Sequence, residues 1–242
     1  MTTGEPIRQG GIVAAGEGTR LRADGWHVSK PMVPVSGKPL IEHALDRFRD
    51  AGIRRLSIII NEASVDCRQW LAVYGVDLDL DLVVLSTPSS YASFRIIADR
   101  LAGSPSVITT VDSILPADEF RRFVKGATGF PGEAMVLGLT NHVDDEKPLW
   151  VSLDAADGRI HKLGDSRSGL VTAGLYALPG RLPSAPSAGF ERLRDYLAWL
   201  VNEGHAVYGI ALGQVFDVDR GCDVEAAEKA AAEGVDAGSA GT

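Results

Sequence analysis

Residues 10–40, GGIVAAGEGTRLRADGWHVSKPMVPVSGKPL, restrict the fold more than any other stretch of this chain. A short apolar run, Ile12-Val13-Ala14-Ala15, leads directly into Gly16-Glu17-Gly18-Thr19-Arg20. Such a run reads as a buried strand, and the glycines as the turn that ends it. Backbone N–H groups in a turn of this kind can face an anion, and two long cations, Arg20 and Lys30, reach the same point. A second turn, Ser36-Gly37-Lys38-Pro39, then opens a helical pattern. The stretch suits a polyphosphate held at the end of a strand.

The remainder of the chain repeats the strand–helix alternation. Residues 8–15 read as a strand, 16–37 as a long functional loop, and 38–51 as a helix closed by Gly52. Strands are expected at 56–60, 82–85 and 106–111, separated by helices at 64–74 and 91–102. Beyond Asp112 a helix at 117–126 gives way to strands near 133–140, 148–153, 159–163 and 171–178. A helix at 189–203, a strand at 206–211 and a helix at 223–233 close the pattern. The reading is an α/β protein, Rossmann-like, three-layer α/β/α, with a mostly parallel central mixed sheet. One domain is expected over 1–234, with a nucleotide-binding half at about 8–112 and an acceptor-binding half at about 113–222. Residues 235–242, rich in Gly, Ala and Ser, read as a disordered tail.

Composition narrows the partners. A net charge of −8 argues against nucleic acid, which requires a basic face, but allows a local cationic pocket for a small phosphorylated ligand. Two distant cysteines, Cys67 and Cys222, make neither a disulfide framework nor a zinc knuckle. The five histidines lack metal-ligand spacing. No run approaches the roughly 18 apolar residues of a membrane span, and the first ten residues carry no apolar signal region. A cytoplasmic protein without a membrane partner is expected, and a homo-oligomer is compatible with the sequence.

The glycine loop matches neither common nucleotide fingerprint. A dinucleotide loop would place a third glycine where Leu21 stands, and a P-loop would place Ser or Thr where Pro39 follows Gly37-Lys38. GxGTR, nine intervening residues, then KPM-x-PV-x-GKPL instead resembles the signature of the sugar-phosphate nucleotidyltransferases. The resemblance implies a fold of the nucleotide-diphospho-sugar transferase type. It implies an enzyme that joins a nucleoside triphosphate to a sugar 1-phosphate or polyol phosphate and releases pyrophosphate. Gly16, Gly18 and Thr19 would hold the triphosphate, and Arg20 and Lys30 would meet its phosphates as catalytic cations. Ala14 and Ala15 would allow close approach of the nucleoside, and Ser89 and Ser90, in Thr87-Pro88-Ser89-Ser90-Tyr91, would meet the base.

Asp112 ends the strand Ser106–Val111, where open α/β sheets bind ligands, and is also placed to cap a helix before Pro116. By resemblance it is a metal ligand. The second metal aspartate falls in VFDVDRGCDVEAAEKA at Asp217, with Asp219 two residues on and Asp223 positioned to cap the closing helix. Two aspartates suffice for Mg²⁺, which fills the rest of its octahedron with waters and phosphate oxygens. Gly174 in VTAGLYAL is expected in the acceptor pocket, although a glycine in a bent strand explains it equally. The Glu-Lys-Pro that relatives often carry is replaced by Leu163-Gly164-Asp165-Ser166-Arg167, which leaves Arg167 as the acceptor-phosphate candidate. The wording DGRIHKLGD also resembles cytidylyltransferases acting on inositol or other polyol phosphates, and an amino-alcohol phosphate acceptor stays open. A metal-dependent glycosyltransferase on a similar sheet and a non-catalytic nucleotide-binding relative are the remaining alternatives.

Overall fold

The computed structural model describes residues 5–143, 147–164, 169–186 and 189–239. The first half shows the expected alternation: β1 (Gln9–Ala14), α1 (Thr19–Ala23), β2 (Pro34–Val35), β3 (Lys38–Pro39), α2 (Leu40–Asp50), β4 (Arg55–Ile60), α3 (Val65–Tyr74), β5 (Asp79–Val84), α4 (Ser90–Arg100) and β6 (Ser106–Thr110). The second half comprises β7 (Ser113–Ile114), α5 (Ala117–Ala127), β8 (Met135–Thr140), β9 (Val151–Leu153), β10 (Ile160–Leu163), β11 (Val171–Leu178), α6 (Leu193–Asn202), β12 (Val207–Ala211), β13 (Phe216–Asp217) and α7 (Gly221–Ser239).

A seven-stranded sheet in the order β12-β8-β11-β6-β1-β4-β5 carries the structure. Strands β5, β4, β1 and β6 run parallel, β11 is antiparallel to both β6 and β8, and β12 is parallel to β8. The order turns back at β1, which pairs with β4 on one side and β6 on the other. Ligands of open α/β sheets bind at such a switch point, beyond the carboxyl ends of the strands.

Gly10 and Gly11 explain how β1 is covered on both faces. A Cβ on Gly10 would lie 2.2 Å from Cε1 of Phe48 on α2, and one on Gly11 would lie 2.3 Å from Cγ2 of Ile97 on α4. The two helices therefore close directly onto the central strand from opposite sides. Phe48 joins Ile12, Leu45 and Phe120 in one core, and Ile97 joins Ile59, Phe94 and Tyr196 in the other. Both large side chains are fully buried, and burying each contributes about 1.5–3 kcal/mol.

Four stretches differ from the sequence reading. The loop expected over 16–37 contains α1, a 3₁₀ turn at Lys30–Met32 and the first strand of a hairpin. Ser36 (φ 51°) and Gly37 (φ 77°) form the two-residue turn between β2 and β3, so Lys38 and Pro39 belong to the hairpin rather than the helix. Strand β5 starts at Asp79, earlier than its apolar part. At the sheet edge Asp79 and Asp81 are tolerated, and Asp81 accepts hydrogen bonds from Arg100 at 2.7 Å and from Ser57 Oγ at 3.1 Å. The closing helix runs to Ser239, through residues 235–239 that read as tail. Both cysteines are free, Cys67 buried and Cys222 exposed. Among the described residues no helix is long and apolar enough to cross a membrane.

Candidate functional site

The site forms where β1 and β6 end side by side. After Ala14 the chain turns through Gly16 and reaches Gly18, whose φ of 63° starts α1 from the left-handed region. A Cβ on Gly18 would lie 2.8 Å from Lys30 Cβ, so this glycine admits the Lys30 backbone against the loop. The missing Cβ of Gly16 faces open space. Lys30 opens the 3₁₀ turn, which is fixed from behind: the Ser29 amide donates to Asp66 Oδ2 of α3 at 2.9 Å, and Val33 N donates to Lys30 O at 3.1 Å.

The carboxylates arrive from two other places. Asp112 lies just past β6, and Val111 N donates to Val13 O at 3.1 Å, which locks the end of β6 against β1. Residues 217–219 reach the same point because β13 pairs antiparallel with β7, Asp217 opposite Ser113, and Val218 N donates to Asp112 O at 3.1 Å. Asp223 accepts from the Asp219 amide at 2.9 Å and the Arg220 amide at 2.7 Å, fixing the turn before α7 as the sequence suggested.

Lys30 is the meeting point. Its Nζ donates to Asp112 Oδ2 at 2.6 Å and to Asp219 Oδ1, and Asp219 Oδ2 also accepts from Arg20 Nη1 at 3.2 Å. Only 8% of the Lys30 side chain is exposed, against 20% for Asp112 and 37% for Asp219. Burial acts against the Lys30 charge, but Asp112, Asp219 and Asp217 outweigh it and hold the ammonium above its ordinary pKa. Burial likewise raises Asp112, yet the charge and hydrogen bond of Lys30 prevail and hold its carboxyl below the usual range. The core of the site is charged, dry on the lysine side and open on the Asp219 side.

A cavity of about 430 Å³ extends from Asp112, Asp217 and Asp219 toward β11 and the start of α6. Gly174 lines it in a bulge of β11, where the register against β8 shifts between Thr172 and Tyr176. Its φ is 68°, and a Cβ would lie 2.0 Å from Ser113 Oγ and 2.5 Å from Thr110 Oγ1. Gly174 thus meets a bent-strand requirement and also borders the cavity.

The other expected residues occupy varied places. Ala14 and Ala15 are buried at the end of β1. Ala15 O accepts from Asn61 Nδ2 at 3.3 Å, and Asn61 Oδ1 also accepts from Ser86 Oγ at 3.3 Å. Asn61 thus ties together the ends of β1, β4 and β5, a role with no signal in the sequence. Thr19 begins α1 beside Gly18. Ser89 is the N-cap of α4, accepting from Ala92 N at 3.1 Å, while Ser90 Oγ accepts from Leu193 N at 3.0 Å and caps α6 from outside. Ser90 also borders the cavity. Arg167 lies outside the described residues. The cavity's other wall, His142, Thr172, Tyr176, Arg192 and Arg194, was not singled out in the sequence. His142 follows β8, Thr172 and Tyr176 lie on β11, and Arg192 and Arg194 stand at the start of α6, three places that no motif links.

Among the described residues no group of three or more His, Cys, Asp or Glu gathers to hold a metal. The donor chemistry still suits a hard cation: the carboxylates of Asp112 and Asp219 converge on one ammonium, which occupies the position a cation would take.

A family of known proteins matches residues 10–167, over both the glycine loop and Asp112, and is described as the MobA-like NTP transferase domain. The chain belongs to the MobA-like NTP transferase domain family. It is 31% identical over 175 residues to a glucose-1-phosphate thymidylyltransferase of an Actinoplanes species, across 71% of this chain and 56% of that protein. It is 29% identical over 154 residues to the choline-phosphate cytidylyltransferase of Streptococcus pneumoniae, across 62% of this chain and 65% of that protein. The chain therefore spans less than two thirds of the length of either relative. Its fold is that of the inositol-1-phosphate CTP transferase from T. maritima, with a TM-score of 0.77 at 20% identity over 93% of this chain and 97% of that one. Family and mixed α/β sheet agree with the sequence reading.

Proposed function

We propose that this protein is a nucleotidyltransferase that joins a nucleoside triphosphate to a sugar 1-phosphate or polyol phosphate and releases pyrophosphate. The observation that carries this reading is the buried Lys30 bridging Asp112 and Asp219 at the switch point of the sheet. A phosphate oxygen of the acceptor attacks the α-phosphorus in line. A P–O bond forms there as the bond to the β-phosphate oxygen breaks, and pyrophosphate leaves. The nucleophile is already anionic, so no general base is required, and the protein's contribution is position and charge.

In this reading the Gly16–Thr19 turn approaches the triphosphate, and the open space beside Gly16 is where a side chain would obstruct it. Arg20 and Lys30 exchange part of their pairing with Asp219 for phosphoryl oxygens, offsetting charge as it develops. Mg²⁺ would be held by Asp112 and Asp219, because these two carboxylates meet at one cation. Asp217, the sequence-based choice, lines the acceptor cavity beside them. Bound there, the metal supplies further charge neutralisation at the α-phosphate and the attacking oxygen. The acceptor occupies the cavity bounded by Gly174. Two free cysteines suit a reducing cytoplasm.

Testing each of the four nucleoside triphosphates with Mg²⁺ against glucose 1-phosphate, inositol 1-phosphate and choline phosphate, the acceptors in the relatives' names, examines this reading. Stoichiometric pyrophosphate and nucleotidyl-linked product are expected from one pairing. Release of a nucleoside diphosphate from a nucleotide sugar, with no pyrophosphate from any pairing, would instead establish the glycosyltransferase.

A further inference from the structure

Lys30 follows an exposed stretch of its loop. Across residues 22–28 only Trp26 is half-buried, whereas Lys30 and Pro31 are buried. The chain therefore enters the site at Ser29, and whatever fixes Ser29 fixes where the Lys30 side chain starts. The bonds within the turn, Met32 N to Ser29 O at 2.8 Å and Val33 N to Lys30 O at 3.1 Å, set its shape but not its place. Its far side is anchored by the burial of Pro31 and Val33. Its near side is anchored by Asp66, whose Oδ2 accepts from the Ser29 amide at 2.9 Å.

Asp66 has two duties, one for each oxygen. Oδ1 accepts from the Cys67 amide at 2.8 Å, in the first turn of α3, where a carboxylate also suits the helix dipole. Oδ2 leaves the helix and reaches Ser29, 37 residues earlier in the chain. Burial acts to raise the Asp66 carboxyl, but its bonds with Ser29 and Cys67 prevail and hold it below 3.8, so it is an anion at neutral pH. Helix α3 gives it a firm base, since Cys67 and Leu71 bury in the same core as Ile12 and Phe48. The carboxylates that raise the Lys30 ammonium are Asp112, Asp219 and Asp217, so Asp66 acts on Lys30 through the backbone rather than through its charge. Such support matters because a reacting group must be held within about 0.5 Å of its productive geometry. A misplacement of about 1 Å can cost about 10²-fold in rate.

We propose that Asp66 is a positioning residue for Lys30, holding through the Ser29 amide the backbone from which Lys30 reaches Asp112 and the nucleotide phosphates. The inference rests on the nucleotidyltransferase reading for what Lys30 does but concerns only what keeps it in place. A helix-start carboxylate without this task would support α3 and leave Lys30 unaffected.

The placement of Lys30 is followed on the full chain by competitive amine labelling, read by mass spectrometry against the exposed Lys125, and pyrophosphate release gives kcat and KM. Asp66→Ala should stay folded by circular dichroism, label Lys30 about five-fold faster or more, and lose about ten-fold or more in kcat, with the KM for the acceptor within about two-fold. Asp66→Asn keeps an acceptor oxygen and should recover most of both losses. Ser29→Pro removes the donor instead, at a φ of −65° that proline adopts. It should reproduce the effects of Asp66→Ala, and the double variant should be no worse than either single one. A folded Asp66→Ala protein with native labelling of Lys30 and native kcat overturns the proposal, as do losses from the two substitutions that add in full. If Asp66→Ala does not fold, Ser29→Pro decides by the same readouts, and native labelling of its Lys30 is then the contradicting result. Labelling of Lys30 that depends on Asp66, in a protein that releases no pyrophosphate from any pairing, would leave the positioning role standing and defeat the transfer reaction.

Discussion

Lys30 and Asp112 are 82 residues apart in the chain and 2.6 Å apart in the fold. The contact joins the loop after β1 to the end of β6, the two strands between which the sheet order reverses. Asp219 completes it from the far end of the chain, delivered by the pairing of β13 with β7. One ammonium thus holds together three segments from distant parts of the chain.

Removing that ammonium should be felt in stability as well as turnover. Lys30→Met leaves two carboxylates facing each other. Breaking a buried pair costs about 3–5 kcal/mol, and the partial exposure of Asp219 reduces the expectation to about 1–3 kcal/mol. Urea unfolding of the variant checks it, and an unchanged midpoint would show that the bridge contributes nothing to the folded state.

The pH dependence has a defined sign. Asp112 is held below its ordinary value of 3.8, so its contribution is present above that value and is lost as pH falls through the lowered one. Lys30 is held above 10.5, so its contribution is complete below 10.5 and is lost only as pH rises through the raised value. The difference in thermal midpoint between native protein and Lys30→Met should be constant through neutral pH and shrink below pH 4. A difference that grows on acidification contradicts the ion-pair account.

Gly174→Ala tests the bulge of β11. A left-handed φ disfavours alanine by about 1–2 kcal/mol, and the 2.0 Å approach to Ser113 Oγ adds overpacking of about 1–3 kcal/mol. A total loss of about 2–5 kcal/mol is expected. Adding Ser113→Ala should recover part of it, leaving the backbone component and the 2.5 Å approach to Thr110 Oγ1. Equal unfolding midpoints for Gly174→Ala and the double variant would exclude the clash with Ser113 Oγ.

Ser90→Ala deprives the Leu193 amide of its 3.0 Å acceptor. The expected loss is that of a missing helix cap, about 0.5–2 kcal/mol. Hydrogen exchange should accelerate in the first turn of α6 while the middle of the helix stays protected.

The fold was legible because β4 and β6 carry β-branched runs, β1 ends in a short apolar one, and the helices between them carry periodicity. Lys30, Arg20 and Asp112 were legible because loop spelling and strand ends are local features. The pairing of Asp219 with Lys30 was not, since it depends on how the β13–β7 pairing delivers residues 217–219. The capping of α6 by Ser90 was not legible either, since its partner stands 103 residues away. Arg194 and His142 gave no signal because this wall of the cavity is assembled from a helix start and a strand end that no motif links.

The central claim is that Asp112, Lys30 and Asp219 form the transfer site. Its most direct test is Mg²⁺-dependent pyrophosphate release by Asp112→Asn, Lys30→Met and Asp219→Asn beside the native protein, with folding checked by circular dichroism. Each variant is expected to stay folded and to lose about 10²-fold or more in kcat. Native-like release from a folded Asp112→Asn or Asp219→Asn protein would contradict the account.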